Sequence, residues 1–368
     1  MELKKGYKKT DIGVIPEDWE CLKVEDCVSI TTGKKNTDDN IADGLYSFFV
    51  RSQQVEKINS FSFNCEAVLT AGDGVGTGRI FHYINGKFDV HQRVYVMTNF
   101  RNVTGKFFYF YFSSYFYNEV SKYTAKSSVD SVRKDMIAKM SLLTPPIPEQ
   151  HAIASALSDI DNLIDVLNKL IDKKKNIKQG AIQELLTRKK RLDGFSREWK
   201  TINLGEILEI GHGKSQHEIL DLNGKYPILA TSGEIGRTNM FLYDKPSVLI
   251  GRKGTINKPQ YINTPFWTID TLFYTKIHDS VHPKYLYYLF CTIDWLLYNE
   301  ASGVPSLNSK TIESIEVYIP ILEEQTAIAN ILSDMDAEIE ALEQKLNKYK
   351  SIKQGMMQEL LTGRIRLV

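Results

Sequence analysis

Isoleucine and leucine recur at alternating steps of four and three from Ile153 through Leu157, Ile160, Ile164 and Leu167 to Ile171, with mostly polar residues between them. The same rhythm returns at Ile328, Leu332, Met335, Ile339, Leu342 and Leu346. Such spacing lays a narrow apolar stripe along one side of an α-helix, the a/d seam of a coiled coil. Prolines mark where each helix can begin, Pro145, Pro146 and Pro148 for one and Pro320 for the other. Glu149 and Glu323 then fall in or near the first turns, where a carboxylate suits the helix dipole. The two stretches are also copies of one another. Glu149 aligns with Glu324, and the match runs without a gap to Leu192 against Leu367, passing through IKQGAIQELLT at 177–187 and IKQGMMQELLT at 352–362. A self-match at this distance is internal duplication.

The duplication extends more faintly outside the helices. Trp19 precedes Gly33-Lys34 at the spacing by which Trp199 precedes Gly213-Lys214, and Ser131 stands before the first helix as Ser306 does before the second. The chain therefore reads as globular region, long helix, globular region, long helix. Neither globular region shows long helical periodicity. Short runs such as RVYVMT and FWTIDTLFYTKI suggest mixed α/β regions with substantial sheet, their aromatic residues in the core. A helix of about 36 residues is about 54 Å long, so the first carries the chain away from its own region. If the two seams pack together, the second helix runs back, and the pair is antiparallel about an approximate two-fold axis. Gly180 and Gly355 sit late in the helices at matching positions, where each costs about 1 kcal/mol relative to alanine. A close helix crossing or a kink is the expectation there.

Composition narrows the class. The 368 residues are 42% hydrophobic and 25% charged, an ordinary globular balance. No apolar run reaches the length of a membrane span, and the polar opening MELKKGYKKT lacks a signal-peptide core, so a cytoplasmic protein is expected. Cys21, Cys27, Cys65 and Cys291 form no Cys-x-x-Cys pair and are read as core residues rather than a disulfide or zinc set. A net charge of +1 argues against a stand-alone protein that grips phosphate indiscriminately, since that affinity comes from many Lys and Arg contacts.

The phrase KKTDIGVIPEDW, the helix starts PPIPEQHAIASALSDID and PILEEQTAIANILSDMD, and the segments GDGVGTGRIFHYINGKFDVHQRVYV and VLIGRKGTINKPQYINTPFWTIDTLFY carry a further signal. Together with the duplicated plan, they resemble the specificity subunit of type I restriction–modification systems across essentially the whole chain. The resemblance implies an α+β protein with two mixed α/β target recognition domains, residues 1–145 and 193–318. These alternate with two conserved spacer helices, 146–192 and 319–368, packed as an antiparallel coiled coil with a pseudo-two-fold axis. It implies a non-catalytic chain that reads a bipartite site on double-stranded DNA, one half per domain, and docks two methyltransferase subunits. Motor and nuclease subunits would join through that core. No cofactor is expected on this chain; S-adenosylmethionine, ATP and Mg would belong to the partners. The alternative is a coiled-coil interaction scaffold carrying two ligand-binding domains that do not see DNA.

Catalytic and metal motifs are weak. GHGKS at 211–215 lacks the first glycine of a phosphate loop, whose place is taken by Leu208. GDGVGTG at 72–78 has Thr77 where G-x-G-x-x-G needs its last glycine, leaving either a tight turn that brings backbone near a phosphate or a sheet loop. His278 and His282 have no cysteine or acidic partners to complete a metal set. No G-x-S-x-G elbow is present, and TPPIPEQ at 144–150 lacks the asparagine and aromatic of an adenine methyltransferase signature. The candidates for DNA contact are polar and basic loop residues, because Arg and Lys pair with guanine and phosphate, and Gln and Asn with adenine. In the first region they are Lys34, Lys35, Arg51, Arg79, Gln92, Arg93, Ser128, Ser131 and Arg133; in the second, Lys214, Ser215, Gln216, Arg252, Lys253, Lys258, Asn308 and Lys310. The charged run DKKKNIKQG at 172–180 reads as a solvated or partner-facing helix side.

Overall fold

The two apolar stripes become the two longest helices, Ile147–Leu186 and Leu322–Leu360. The computed structural model describes residues 5–10, 13–123 and 131–367. By internal contacts the chain divides into two compact units, Met1–Asn168 with Lys345–Val368, and Lys169–Gln344. The division cuts both long helices because the two ends of each pack into different cores. Ile153 and Leu157, from the start of the first helix, share a core with Leu360 and Leu361 from the end of the second. Ile182, Leu185 and Leu186, from the end of the first, share the other core with Ile328, Ala329 and Leu332.

In the first unit a six-stranded sheet runs in the order Ser29–Thr32, Val94–Thr98, Phe63–Ala71, Phe81–Val90, Tyr46–Phe49 and Glu56–Ile58. From residue 67 to 71 the strand Phe63–Ala71 is buried on both faces. Val68 faces the helical core while Ala67 and Leu69 join a second cluster with Phe88, Val90 and Val96. Against this sheet lies a helix of 17 residues, Gly105–Ser121, which the sequence reading did not foresee. Its run FFYFYF at 107–112 has no polar face, since Phe107, Phe108, Phe110, Tyr111 and Phe112 are all buried, as is Phe116 beyond it. A helix enclosed on several sides carries no amphipathic period to detect. The second unit has a four-stranded and a three-stranded sheet, with the shorter helix Pro283–Phe290.

Each globular region closes on itself just before its long helix through matching antiparallel pairs, Glu20–Lys23 with Ser141–Thr144 and Lys200–Asn203 with Glu316–Ile319. Immediately beyond, the repeated Glu-Gln pair fastens the long helix to the region. Gln150 Oε1 accepts from the Thr104 N–H (2.8 Å), at the N-cap of Gly105–Ser121, and its Nε2 donates to the Pro145 carbonyl (2.8 Å). Gln325 repeats the arrangement with the His282 N–H (2.9 Å), at the N-cap of Pro283–Phe290, and the Pro320 carbonyl (2.9 Å).

The neighbouring carboxylates are buried and closed by arginines. Glu149 accepts from Arg366 Nε (2.6 Å) and Nη2 (2.8 Å) and from the Trp19 indole N–H (3.0 Å). Glu324 accepts from Arg191 Nε (2.7 Å) and Nη2 (2.8 Å). Arg191 and Arg366 are the aligned positions of the two repeats, so the joints are built alike. They are not identical: Trp199, which corresponds to Trp19, has its buried indole N–H without a partner among the described residues.

Of the seam residues, Ile153, Leu157, Ile160, Leu167, Ile171, Ile328, Leu332, Ile339 and Leu346 are buried, while Ile164, Met335 and Leu342 are half-buried. The stripe does not stay apolar. Lys174 pairs with Glu338 (2.6 Å), Lys175 with Glu343 (2.7 Å), and Lys178 with Asp336 in the second unit; Lys353 pairs with Asp161 (2.5 Å) in the first. The Asp161 and Asp336 pairs are again equivalent between repeats. Part of the DKKKNIKQG run is thus engaged by acids of the other long helix.

Two expectations need correction. Gly180 and Gly355 do not mark a close crossing: both are exposed, and nothing lies within 4 Å of where a Cβ would stand. Of the cysteines only Cys27 is buried; Cys21 and Cys291 are exposed and Cys65 is intermediate, since a small thiol alternates with its strand or helix like any other residue.

With open space around both helix glycines, Gly180→Ala and Gly355→Ala should each raise stability by about 0.5–1 kcal/mol. Thermal melts of the single variants would check this, and a lower melting temperature would indicate a packing role that the structure does not contain. At the joint the sign reverses. Arg366→Ala strands the Glu149 carboxylate and should cost about 3 kcal/mol, whereas Glu149→Gln in the same background should recover part of that loss by removing the buried charge. Denaturant unfolding of the two variants measures the difference.

Candidate nucleic-acid interface

In the first region the strand Phe63–Ala71 delivers the chain into the turn Gly72-Asp73-Gly74. The Gly72 N–H donates to the Arg93 carbonyl (2.7 Å), and its own carbonyl accepts from Val132 N–H (2.7 Å). Asp73 bridges to Ser131, and Gly74 adopts a φ of 93°, which favours glycine. The Asp73 carboxylate holds two arginines, Arg51 through Oδ1 (2.8 Å) and Arg93 through Oδ2 (3.6 Å). Beside them Gln92 Nε2 donates to Asn36 Oδ1 (2.7 Å) and the Gln92 N–H to the Lys35 carbonyl (2.8 Å).

Lys35, Arg51, Gln92, Arg93 and Ser131 therefore gather around one turn. Lys34 is exposed next to Lys35, and Arg133 is exposed at the start of the short helix Lys134–Ala138. Arg79, at the far end of the glycine loop, lies over the Tyr117 ring (4.0 Å), a cation–π contact that fixes its direction. Ser128 lies outside the described residues. The buried His91 accepts from the Arg93 N–H at Nδ1 (3.0 Å), and its pKa is lowered first by burial and then by the Arg51 charge. The imidazole is thus kept neutral beside the arginines.

The second region repeats the turn at Arg252-Lys253-Gly254. The Arg252 N–H donates to the Thr271 carbonyl (2.8 Å), its carbonyl accepts from Leu307 N–H (2.9 Å), Lys253 bridges to Ser306, and Gly254 has a φ of 85°. Arg252, Lys253 and Asn308 line one cleft with His212, Phe273 and Glu300. Asn308 Oδ1 also caps the helix Ser309–Glu313 by accepting from the Lys310 N–H (3.0 Å). Lys214, Ser215 and Gln216 stand on a separate loop, pinned where the Lys214 N–H donates to the Thr268 carbonyl (2.8 Å) and its carbonyl accepts from the Trp267 indole (2.9 Å). Lys258 is exposed, and among the described residues no hydrogen bond or ion pair joins it to the others.

Both lysine loops start from a glycine under the same constraint. A Cβ on Gly33 would stand 1.9 Å from the Val90 carbonyl oxygen, and one on Gly213 would stand 1.8 Å from that of Ile269. Asp73, the acid that organises the glycine loop, is not among the residues that a search for base and phosphate donors selects; the GDG spelling at 72–74 is its signal in the sequence.

Comparison with known proteins decides what this duplicated scaffold is. The type I restriction modification DNA specificity domain matches residues 16–176 and again 196–351. The chain belongs to that family. Among type I specificity subunits, the MjaVIII subunit of Methanocaldococcus jannaschii is 24% identical over 96% of this chain and 94% of its own length. A putative MjaX subunit from the same organism is 26% identical over 99% and 97%. The fold is similar to that of a solved type I restriction–modification S subunit from M. genitalium, with a TM-score of 0.73 at 17% identity over 98% of both chains. Each family domain carries one globular region and the larger part of one long helix, so the matched turns at Asp73 and Lys253 occupy the same place in the two copies of this specificity domain.

Because the neighbouring carbonyls cannot retreat far, Gly33→Ala and Gly213→Ala should each destabilise the specificity subunit by about 1–3 kcal/mol. Calorimetry on each variant would show it. An unchanged melt would mean that the lysine loops are free to move away from the sheet.

Proposed function

We propose that this specificity subunit reads a bipartite site on double-stranded DNA, one half with each globular region. The long helices act as an antiparallel coiled-coil spacer with a pseudo-two-fold axis. The observation that carries the reading is the repetition of joint and turn together. Each region is fastened to its helix by the same Glu-Gln and arginine set, and each presents the same backbone turn with basic side chains at or beside it. The order of the ion pairs inside each unit supports helices of opposite direction, since residues late in the first helix meet residues early in the second, and the reverse. Two readers held by a rigid spacer suit half-sites about one DNA turn apart, roughly 34–36 Å.

In this reading the chain performs no catalysis. It docks two methyltransferase subunits, and motor and nuclease subunits assemble through that core. S-adenosylmethionine, ATP and Mg belong to those partners. A net charge of +1 fits such sharing, because partner subunits supply part of the phosphate contact. The scaffold alternative, with two domains that bind something other than DNA, offers no account of the basic residues gathered at both turns.

Methylation mapping of DNA treated with the assembled methyltransferase should reveal two short specific segments separated by a fixed, unspecific gap. Replacing residues 193–318 with the corresponding region of a relative should change one segment and leave the other and the gap intact. A continuous motif, or a swap that alters both segments, would refute the two-reader arrangement.

A further inference from the structure

The turns at Asp73 and Lys253 share a backbone and differ in charge. In each, the residue before the turn glycine bridges to the serine that precedes the long helix, Ser131 or Ser306, and the glycine that follows has a positive φ. The same scaffold therefore presents an acid in one region and a base in the other.

Asp73 is poorly suited to contact DNA itself, because a bare carboxylate would face phosphates of like charge. Both of its oxygens are instead committed, Oδ1 to Arg51 and Oδ2 to Arg93. Its side chain is 27% exposed, against 42% for Arg51 and 65% for Arg93, so the acid sits beneath and the guanidinium groups project outward. An arginine fork held in this way loses less rotamer freedom on contact and matches the O6 and N7 acceptors of guanine in the major groove. Lys253 makes no ion pair among the described residues, and its ammonium is a point charge without a fork. Its neighbour Arg252 donates from Nη1 to the Asp270 carbonyl (3.3 Å) and, among the described residues, has no carboxylate holding it.

We propose that positions 73 and 253 are specificity-determining, with Asp73 a positioning residue that makes the first region select guanine through Arg51 and Arg93, a selection the second region lacks at its equivalent turn. The proposal rests on the two-reader function above and assigns chemistry within it.

The test uses the full chain assembled with its methyltransferase partner, on duplex libraries randomised through both half-sites, with methylation read by sequencing. The wild type should prefer guanine at one or more first-half positions. Asp73→Asn should reduce that preference about tenfold, in the range of a lost bidentate contact, while the second half is unchanged. Arg51→Lys, which keeps the charge and removes the fork, should act in the same direction and serves as the reporter if Asp73→Asn does not assemble. Lys253→Ala should alter the second half alone. Unchanged first-half preferences in both Asp73→Asn and Arg51→Lys would overturn the proposal, as would a uniform loss of rate on all sequences or a wild-type first half without guanine. Those results would leave the two-reader function standing, whereas a wild type that methylates no gapped motif would remove the function itself.

Discussion

A carboxylate buried at the first turn of a long helix cannot remain charged without donors, and the architecture follows from how that demand is met twice. Glu149 is closed by Arg366 and Trp19, Glu324 by Arg191. In each case the arginine lies just past the end of the other long helix. Satisfying one buried charge therefore obliges the two helices to bring opposite ends together within a unit. The adjacent glutamines then transmit that placement to the globular region through the N-caps of Gly105–Ser121 and Pro283–Phe290. Such pairs contribute little net stability compared with an apolar contact of the same size, but breaking one is costly, which makes them instruments of placement.

The parts of this design that repeat in sequence were legible; the parts that depend on enclosure were not. The stripes from Ile153 to Ile171 and from Ile328 to Leu346 announced two helices because an exposed helix must alternate polar and apolar residues. Gly105–Ser121 escaped notice because burial on several sides erased that alternation. Gly180 and Gly355 misled for a related reason. Glycine signals either crowding or mere tolerance, and only the empty space beside both positions separates the two.

At the candidate interface the basic residues could be named from composition, but not their grouping. Lys35, Arg51, Gln92 and Arg93 are dispersed along the chain and meet only because the Asp73 turn is stitched to the loop that ends at Arg93 and to the backbone at Ser131 and Val132. Asp73 itself has the wrong charge for a search that looks for phosphate and base donors. The two turns are recognisable as one device only when their hydrogen bonds are superimposed, since Gly72-Asp73 and Arg252-Lys253 share no side chain.

The joints also impose an order on synthesis. Arg191 precedes its partner Glu324 by 133 residues, so the second joint can close as soon as its glutamate emerges. Glu149 must wait 217 residues for Arg366, roughly 10–40 s at about 5–20 residues per second. Through that interval the start of the first helix holds a carboxylate with no arginine, and the apolar surface destined for Leu360 and Leu361 stays uncovered. The unit begun first on the ribosome is thus the one completed last.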